Sequence, residues 1–266
     1  MTVVAVDIGG TWTRVADVAR FPTDPDYDRE LAMIVDAAAS TNPTAAGVSF
    51  GGRVTSDGTV RVSLNLRGYE GRALGADLAA ALGCPVRVAH DATCGLLGEA
   101  FAPGGALHGV ERCGYLTLST GVGAAVRLGS TVLTTEAGHQ LVAGNDLPCA
   151  CGQTGCLETL VGGRALAERL GRPLDTVDDP GFWQVYSERL APGLVNLALT
   201  AGLSVIALGG AVALRGDDLW RPLWSEVARL SRYNTVEVRK AGLGGGAPLA
   251  GAAVLADGPA PLEVLH

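Results

Sequence analysis

Apolar and polar positions along this chain switch between the period of strands and the period of helices. Thr2 to Val6 is a β-branched run and Trp12 to Val18 alternates, with Asp7-Ile8-Gly9-Gly10-Thr11 between them. Strand, glycine turn, strand predicts a hairpin whose tip exposes backbone N–H groups. Arg29 to Ser40 has helical spacing. Ala45 to Phe50 reads as a buried strand ending at Gly51-Gly52, followed by a hairpin that turns at Ser56-Asp57-Gly58. Ser63 to Tyr69 is a loop, and Ala73 to Leu82 a helix stopped by Gly83 and Pro85. Val86 to Ala89 is a short strand and Thr93 to Phe101 a helix, so His90 and Asp91 fall at the junction. Ligands of α/β folds gather at such strand ends. On local grounds Asp91 reads equally as a helix N-cap or as a functional acid.

Pro103-Gly104-Gly105 marks a domain boundary. After it, Cys113 to Leu118, Ser119-Thr120-Gly121-Val122-Gly123 and Ala124 to Leu128 repeat the opening strand, turn, strand pattern. That echo predicts a duplicated architecture gripping one ligand from two sides. Leu160 to Leu170 reads as helix and Leu174 to Pro180 as loop. Phe182 to Ala201 reads as a long helix interrupted at Pro192-Gly193. Val205 to Leu208 is a strand ending in Gly209-Gly210, Asp217 to Leu230 a helix, and Thr235 to Val238 a strand. Glycine-rich Gly242 to Gly246 leads into a final helix, Pro248 to Ala256. The alternation of strands and helices sets the class as α/β.

Composition narrows the function. With 266 residues, 48% hydrophobic and 18% charged, the chain can bury a sizeable core. A net charge of -7 disfavours a nucleic-acid partner. The N-terminus lacks the basic and apolar regions of a signal peptide, and no apolar run spans a bilayer. A cytoplasmic protein without a membrane partner is expected.

Three of the six cysteines, Cys149, Cys151 and Cys156, crowd together after His139. One imidazole and three thiols form the donor set of a closed, structural zinc site. A disulfide is the competing reading, disfavoured without an export signal. A zinc-bound imidazole keeps a second ring nitrogen, which could meet a substrate hydroxyl. Glu136 and Glu158 bracket the cluster as acceptors for sugar hydroxyls. The glycine turns suit phosphate, yet no Walker lysine is present and Lys240 lies in no such context. Backbone N–H groups with Mg²⁺, and an acid at a strand end, fit phosphoryl transfer to a hydroxyl.

Taken together, Asp7 to Thr11, Thr120 to Gly123, Glu136 to His139, Cys149 to Glu158 and Leu208-Gly209-Gly210 closely resemble the signatures of the ROK family. That family groups bacterial sugar kinases and sugar-responsive repressors. The resemblance runs from residue 2 to about 256. It implies a two-lobed, actin-like or hexokinase-type (ribonuclease H-like) fold with a structural zinc site. A smaller lobe at 1–110 and a larger one at 111–246 are expected, with a C-terminal helix at about 247–266 packing back on the first. The resemblance implies an ATP-dependent kinase acting on the 6-hydroxyl of a hexose, with Asp91 as catalytic base. Gly52, Asn65, His90, Glu136, His139 and Glu158 would contact the sugar. Asp7, Gly9, Gly10, Thr11, Thr120, Gly121, Gly123, Gly209 and Gly210 would face ATP and Mg²⁺. A homodimer is the usual state of family kinases.

One departure stands out. The family usually has Asn-Asp where this chain has His90-Asp91. A histidine is bulkier and offers one acceptor nitrogen or a cation. An altered sugar preference is expected, for glucose or for an amino sugar of the kanosamine (3-amino-3-deoxyglucose) or N-acetylmannosamine type. Two alternatives stand beside the kinase: a sugar-binding pseudokinase, and a sugar-sensing regulator without a DNA-binding domain. The first hairpin starts at residue 2, so no winged-helix domain is expected ahead of it.

Overall fold

The computed structural model describes residues 2–258 and 263–265. The chain opens with β1 (Val3–Ile8), β2 (Trp12–Val15) and β3 (Ala19–Pro22), an antiparallel meander. Helix α1 (Tyr27–Ala39) leads to β4 (Ala45–Phe50), the hairpin of β5 (Arg53–Val54) and β6 (Val60–Val62), α2 (Leu74–Leu82), β7 (Val86–His90) and α3 (Asp91–Phe101). Strands β4 and β7 add in parallel, giving the order β3-β2-β1-β4-β7. Every residue of β4 is buried, as a strand covered on both faces requires.

The second half repeats the plan. Strands β8 (Arg112–Leu118), β9 (Val122–Leu128) and β10 (Thr131–Thr135) form another antiparallel meander. Next come α4 (Glu158–Val161), α5 (Gly163–Leu170), α6 (Pro180–Ala201) and β11 (Val205–Gly209). They are followed by α7 (Gly210–Ala213), α8 (Asp217–Leu230), β12 (Glu237–Lys240), α9 (Ala247–Asp257) and β13 (Glu263–Leu265). Strands β11 and β12 add in parallel to β8, and β13 pairs with β10. The order β12-β11-β8-β9-β10-β13 mirrors the first sheet, so the echo seen in the sequence is a repeat in space.

Apolar burial defines the layers. One cluster packs Ile34 and Leu78 of α1 and α2 under β1, β4 and β7. Another packs α6 and α8, including Trp183 and Trp220, under β8, β9 and β11. Between the sheets lies a third, joining Ala5, Ala89, Leu96 and Leu97 to Tyr115, Val205 and Ala252. Helices α3 and α9 form this middle layer and touch through small residues. A Cβ on Gly251 would stand 1.7 Å from the carbonyl oxygen of Cys94.

Several expectations are corrected. Strand β2 stops at Val15, where Asp17 turns the chain at φ 56° into β3. The expected helix at 160–170 breaks at Gly162 into α4 and α5. Helix α6 runs through Pro192 without interruption, because Leu190, Ala191, Gly193 and Leu194 are buried around it and hold the turn that the ring strains. Strand β10 was not anticipated, and the strand at 235–238 shifts to 237–240. The C-terminal helix ends at Asp257, closed by left-handed Gly258, so residues 263–265 are strand where helix was expected. The rest of that stretch, 259–262 and 266, lies outside the described residues.

Candidate active site

The carboxyl ends of β1, β4 and β7 deliver the site. Register sets Asp7 beside Ser49, and Phe50 beside His90, so neighbouring strands carry Asp7 and Asp91 to one edge. Asp91 is the first residue of α3, and the N-cap is His90, whose Nδ1 accepts the Ala92 amide at 3.2 Å. The reading of Asp91 as a cap is thereby set aside. Its side chain is 34% exposed, yet Oδ1 is buried and has no hydrogen-bond partner among the described residues. Burial raises the Asp91 pKa above the ordinary carboxylate range. Asp7 and Glu136 push the same way, while His90 and the Ala92 amide pull it down. An acid with a raised pKa and a free oxygen is suited to taking a proton.

The first glycine turn sits above Asp7. The Gly9 amide donates to the Trp12 carbonyl at 3.1 Å, and the Thr23 hydroxyl donates to the Gly9 carbonyl at 2.8 Å. A Cβ on Gly10 would stand 3.1 Å from the Asn65 side chain, so these two candidates face each other. Thr11 is exposed and its carbonyl accepts the Thr23 amide at 3.1 Å. Asp7 is buried and fully engaged: Ser49 donates to Oδ1 at 2.7 Å, and Arg14 bonds Oδ2 from Nε and Nη2.

The second turn joins β8 to β9. Glu158 Oε2 accepts the Val122 amide at 2.7 Å, and a Cβ on Gly121 would stand 2.5 Å from that oxygen. Glu158 thus braces the turn that the sequence assigned to ATP. The Thr120 carbonyl accepts the Arg164 amide at 2.9 Å. His90 closes the gap between the halves: a Cβ on Gly123 would stand 3.0 Å from its Cε1. The third turn abuts the second, since Gly209 pairs with Thr117. Gly210 adopts φ 85°, and a Cβ there would stand 2.4 Å from the Leu118 carbonyl oxygen, so no other residue fits.

Opposite these turns, Glu136 pairs with Arg53 Nε at 3.1 Å. A Cβ on Gly52 would stand 2.6 Å from the Val62 carbonyl oxygen and 2.8 Å from the Phe50 ring. The donor atoms of His139, Cys149, Cys151 and Cys156 lie within 4.8 Å of one another. His139 Nδ1 is 3.7 Å from Cys149 Sγ, and Cys151 Sγ is 3.7 Å from Cys156 Sγ. Thiolates about 2.3 Å from a tetrahedral zinc stand roughly 3.8 Å apart, so the spacing fits zinc. It does not fit a disulfide, and all these cysteines are free. Burial and its cysteine neighbours push the Cys156 thiol up to about 12, and a cation among the donors would reverse this. Because Nδ1 faces the sulfurs, Nε2 is the nitrogen left for other work.

Four site residues escaped the sequence reading: Arg14, Ser49, Arg53 and Arg164. Ser49 was detectable only through strand register, and the arginines carry no motif. Among the described residues no helix is long and apolar enough to cross a membrane.

Two stacked α/β repeats with glycine turns at one cleft define a two-lobed protein of the actin-like class. The chain belongs to the ROK family, which residues 3–258 match. A ROK family glucokinase from Streptomyces griseus, solved with glucose and AMPPNP, is 25% identical with a TM-score of 0.80, covering 97% of this chain and 99% of that one. A ROK hexokinase from Thermus thermophilus is 30% identical, also with a TM-score of 0.80, covering 97% and 98%. An N-acetyl-D-glucosamine kinase from Citrobacter koseri is 28% identical over 250 residues, covering 82% of this chain and 79% of the relative. An N-acetylmannosamine kinase from Vibrio vulnificus is 26% identical, covering 83% and 86%.

Proposed function

We propose that this chain is an ATP-dependent sugar kinase that phosphorylates the 6-hydroxyl of a hexose, glucose or an amino sugar. The observation that carries the reading is Asp91: a carboxylate with a raised pKa and an unpartnered Oδ1, at the strand end between two glycine turns. As base it takes the hydroxyl proton while the sugar oxygen attacks the γ-phosphorus. The bond from that phosphorus to the bridging oxygen breaks, and ADP leaves with the electron pair. Backbone N–H groups at the first two turns offset charge on the phosphoryl oxygens.

Mg²⁺ bound with the phosphates would supply further charge neutralisation, with Asp7 the carboxylate placed to hold it in competition with Arg14. Zinc would fix the loop from His139 to Glu158 as one wall of the sugar pocket. His139 Nε2, Glu136 and Asn65 are the proposed sugar contacts. His90 stands where the family usually has asparagine, and favours an amino sugar over plain glucose. Kinases for N-acetylated hexosamines among the relatives support that breadth.

ADP release with a panel of hexoses, amino sugars included, tests the proposal, with the phosphorylated position read by NMR. Absence of sugar-stimulated ADP release from any hexose would leave a pseudokinase.

A further inference from the structure

Arg164, the second residue of α5, links the first two glycine turns. Its amide holds the Thr120 carbonyl at 2.9 Å in the second lobe. Its guanidinium reaches across the cleft, and Nη2 donates to Asn65 Oδ1. Asn65 in turn lies against Gly10. One side chain therefore starts at the second turn and ends at the first.

Charge sets Arg164 apart from the other arginines here. Arg14 is spent on Asp7, with Nη2 at 2.6 Å, and Arg53 on Glu136. Arg164 is exposed and meets no carboxylate among the described residues; its partner is a neutral amide. Lys240 lies 3.6 Å from Asp217 and beside the rings of Trp220 and Trp224, so it serves no phosphate turn. A guanidinium bonded to a neutral amide in water is readily drawn to a phosphate, which offers charge and a two-pronged geometry.

We infer that Arg164 is the cationic clamp for the transferred phosphoryl group. It leaves Asn65 when a nucleoside triphosphate enters between the turns, and its fork takes the γ-phosphate oxygens. The charge that builds on those oxygens during transfer is then met by a cation supplied from within the same chain. The exchange also frees the Asn65 amide for the sugar, so triphosphate binding and sugar binding reinforce each other. This assignment rests on the kinase reading above.

The test is calorimetric titration of wild type and Arg164→Gln with AMPPNP and with ADP, each with Mg²⁺. AMPPNP affinity is expected to fall roughly 10-fold or more, as for loss of a charge-assisted bond, with ADP affinity held. In turnover, kcat/KM for ATP falls by about 10²–10³, and Arg164→Lys recovers part of it. Wild type that binds neither nucleotide overturns the kinase reading, and the clamp with it. Wild type that binds both, with Arg164→Gln unchanged or weakened equally for both, overturns the clamp alone. Retained thermal stability of Arg164→Gln is the expected control, since the side chain is exposed.

Discussion

His90 Nδ1 lies 3.1 Å from Asp91 Oδ1 yet spends its lone pair on the Ala92 amide. A nitrogen whose lone pair accepts this amide has no proton to offer on that side. It cannot donate to Asp91, which is why Oδ1 stays unpartnered. The histidine caps the helix and leaves its neighbouring acid free.

Asp91→Asn separates activity from stability. Turnover should fall by roughly 10²–10⁴, as for loss of a general base. Burial raises the Asp91 pKa, so the ionised acid weighs against the folded state at neutral pH. The asparagine variant is expected to melt higher at pH 7. That advantage shrinks as pH falls and vanishes below the ordinary aspartate pKa of about 3.9, where folded and unfolded chains are both protonated. Melting curves at pH 7 and at pH 3.5 measure it.

The same raised pKa shapes the activity profile. A general base works only when ionised, so in the proposed role Asp91 sets the acid limb of kcat/KM at higher pH than an unperturbed carboxylate would. A limb centred near about 4 would show that Asp91 titrates as if exposed.

Substitutions can split the capping of α3 by His90 from its proposed part in sugar selection. His90→Ala removes the cap and should cost about 1 kcal/mol, a fall in Tm of roughly 2–4 °C. His90→Asn restores a good cap, so stability returns while the ratio of kcat/KM for glucose over 3-amino-3-deoxyglucose rises. An unchanged ratio would remove His90 from sugar selection.

The cysteine cluster predicts one zinc per chain by elemental analysis. Cys149→Ser or a strong chelator should lower Tm and weaken sugar binding more than ADP binding, because the loop is the proposed sugar wall. A metal-free protein with full activity would refute the zinc assignment.

The contact of α3 with α9 is sensitive to one methyl group. Gly251→Ala drives a Cβ into the Cys94 carbonyl, with backbone on both sides and nothing flexible to yield. Overpacking of this kind costs about 1–3 kcal/mol, a drop in Tm of roughly 2–12 °C read by calorimetry.

Local pattern carried much of the fold into view. The β-branched run before Asp7 and the buried run at 45–50 announced their strands, and the paired glycine turns announced the repeat. What escaped depended on distant packing. Pro192 stays inside α6 because buried neighbours outweigh its local penalty, and β10 is a short polar-rich strand, TVLTT, recruited by β9. In the site, residues with donor chemistry at fixed spacing were legible: the His139 cluster assembles from sequence neighbours. Arg14, Arg53 and Arg164 were not, because a lone arginine has no periodicity and acquires its meaning from a distant partner: Asp7 on the neighbouring strand for Arg14, and Glu136 and Asn65 in the opposite lobe for Arg53 and Arg164.

The middle layer has a mechanical consequence. Helix α3 packs against both sheets and is clamped to α9 through backbone contact, so it behaves as an axle shared by the lobes. At one end is Asp91; near the other, Glu99 receives the amides of Ala106, Gly242 and Leu243 and fixes the bearing. Any closing of the cleft would swing the glycine turns about this rod while its ends hold position. The acid would then be a stationary reference against which moving phosphates are aligned.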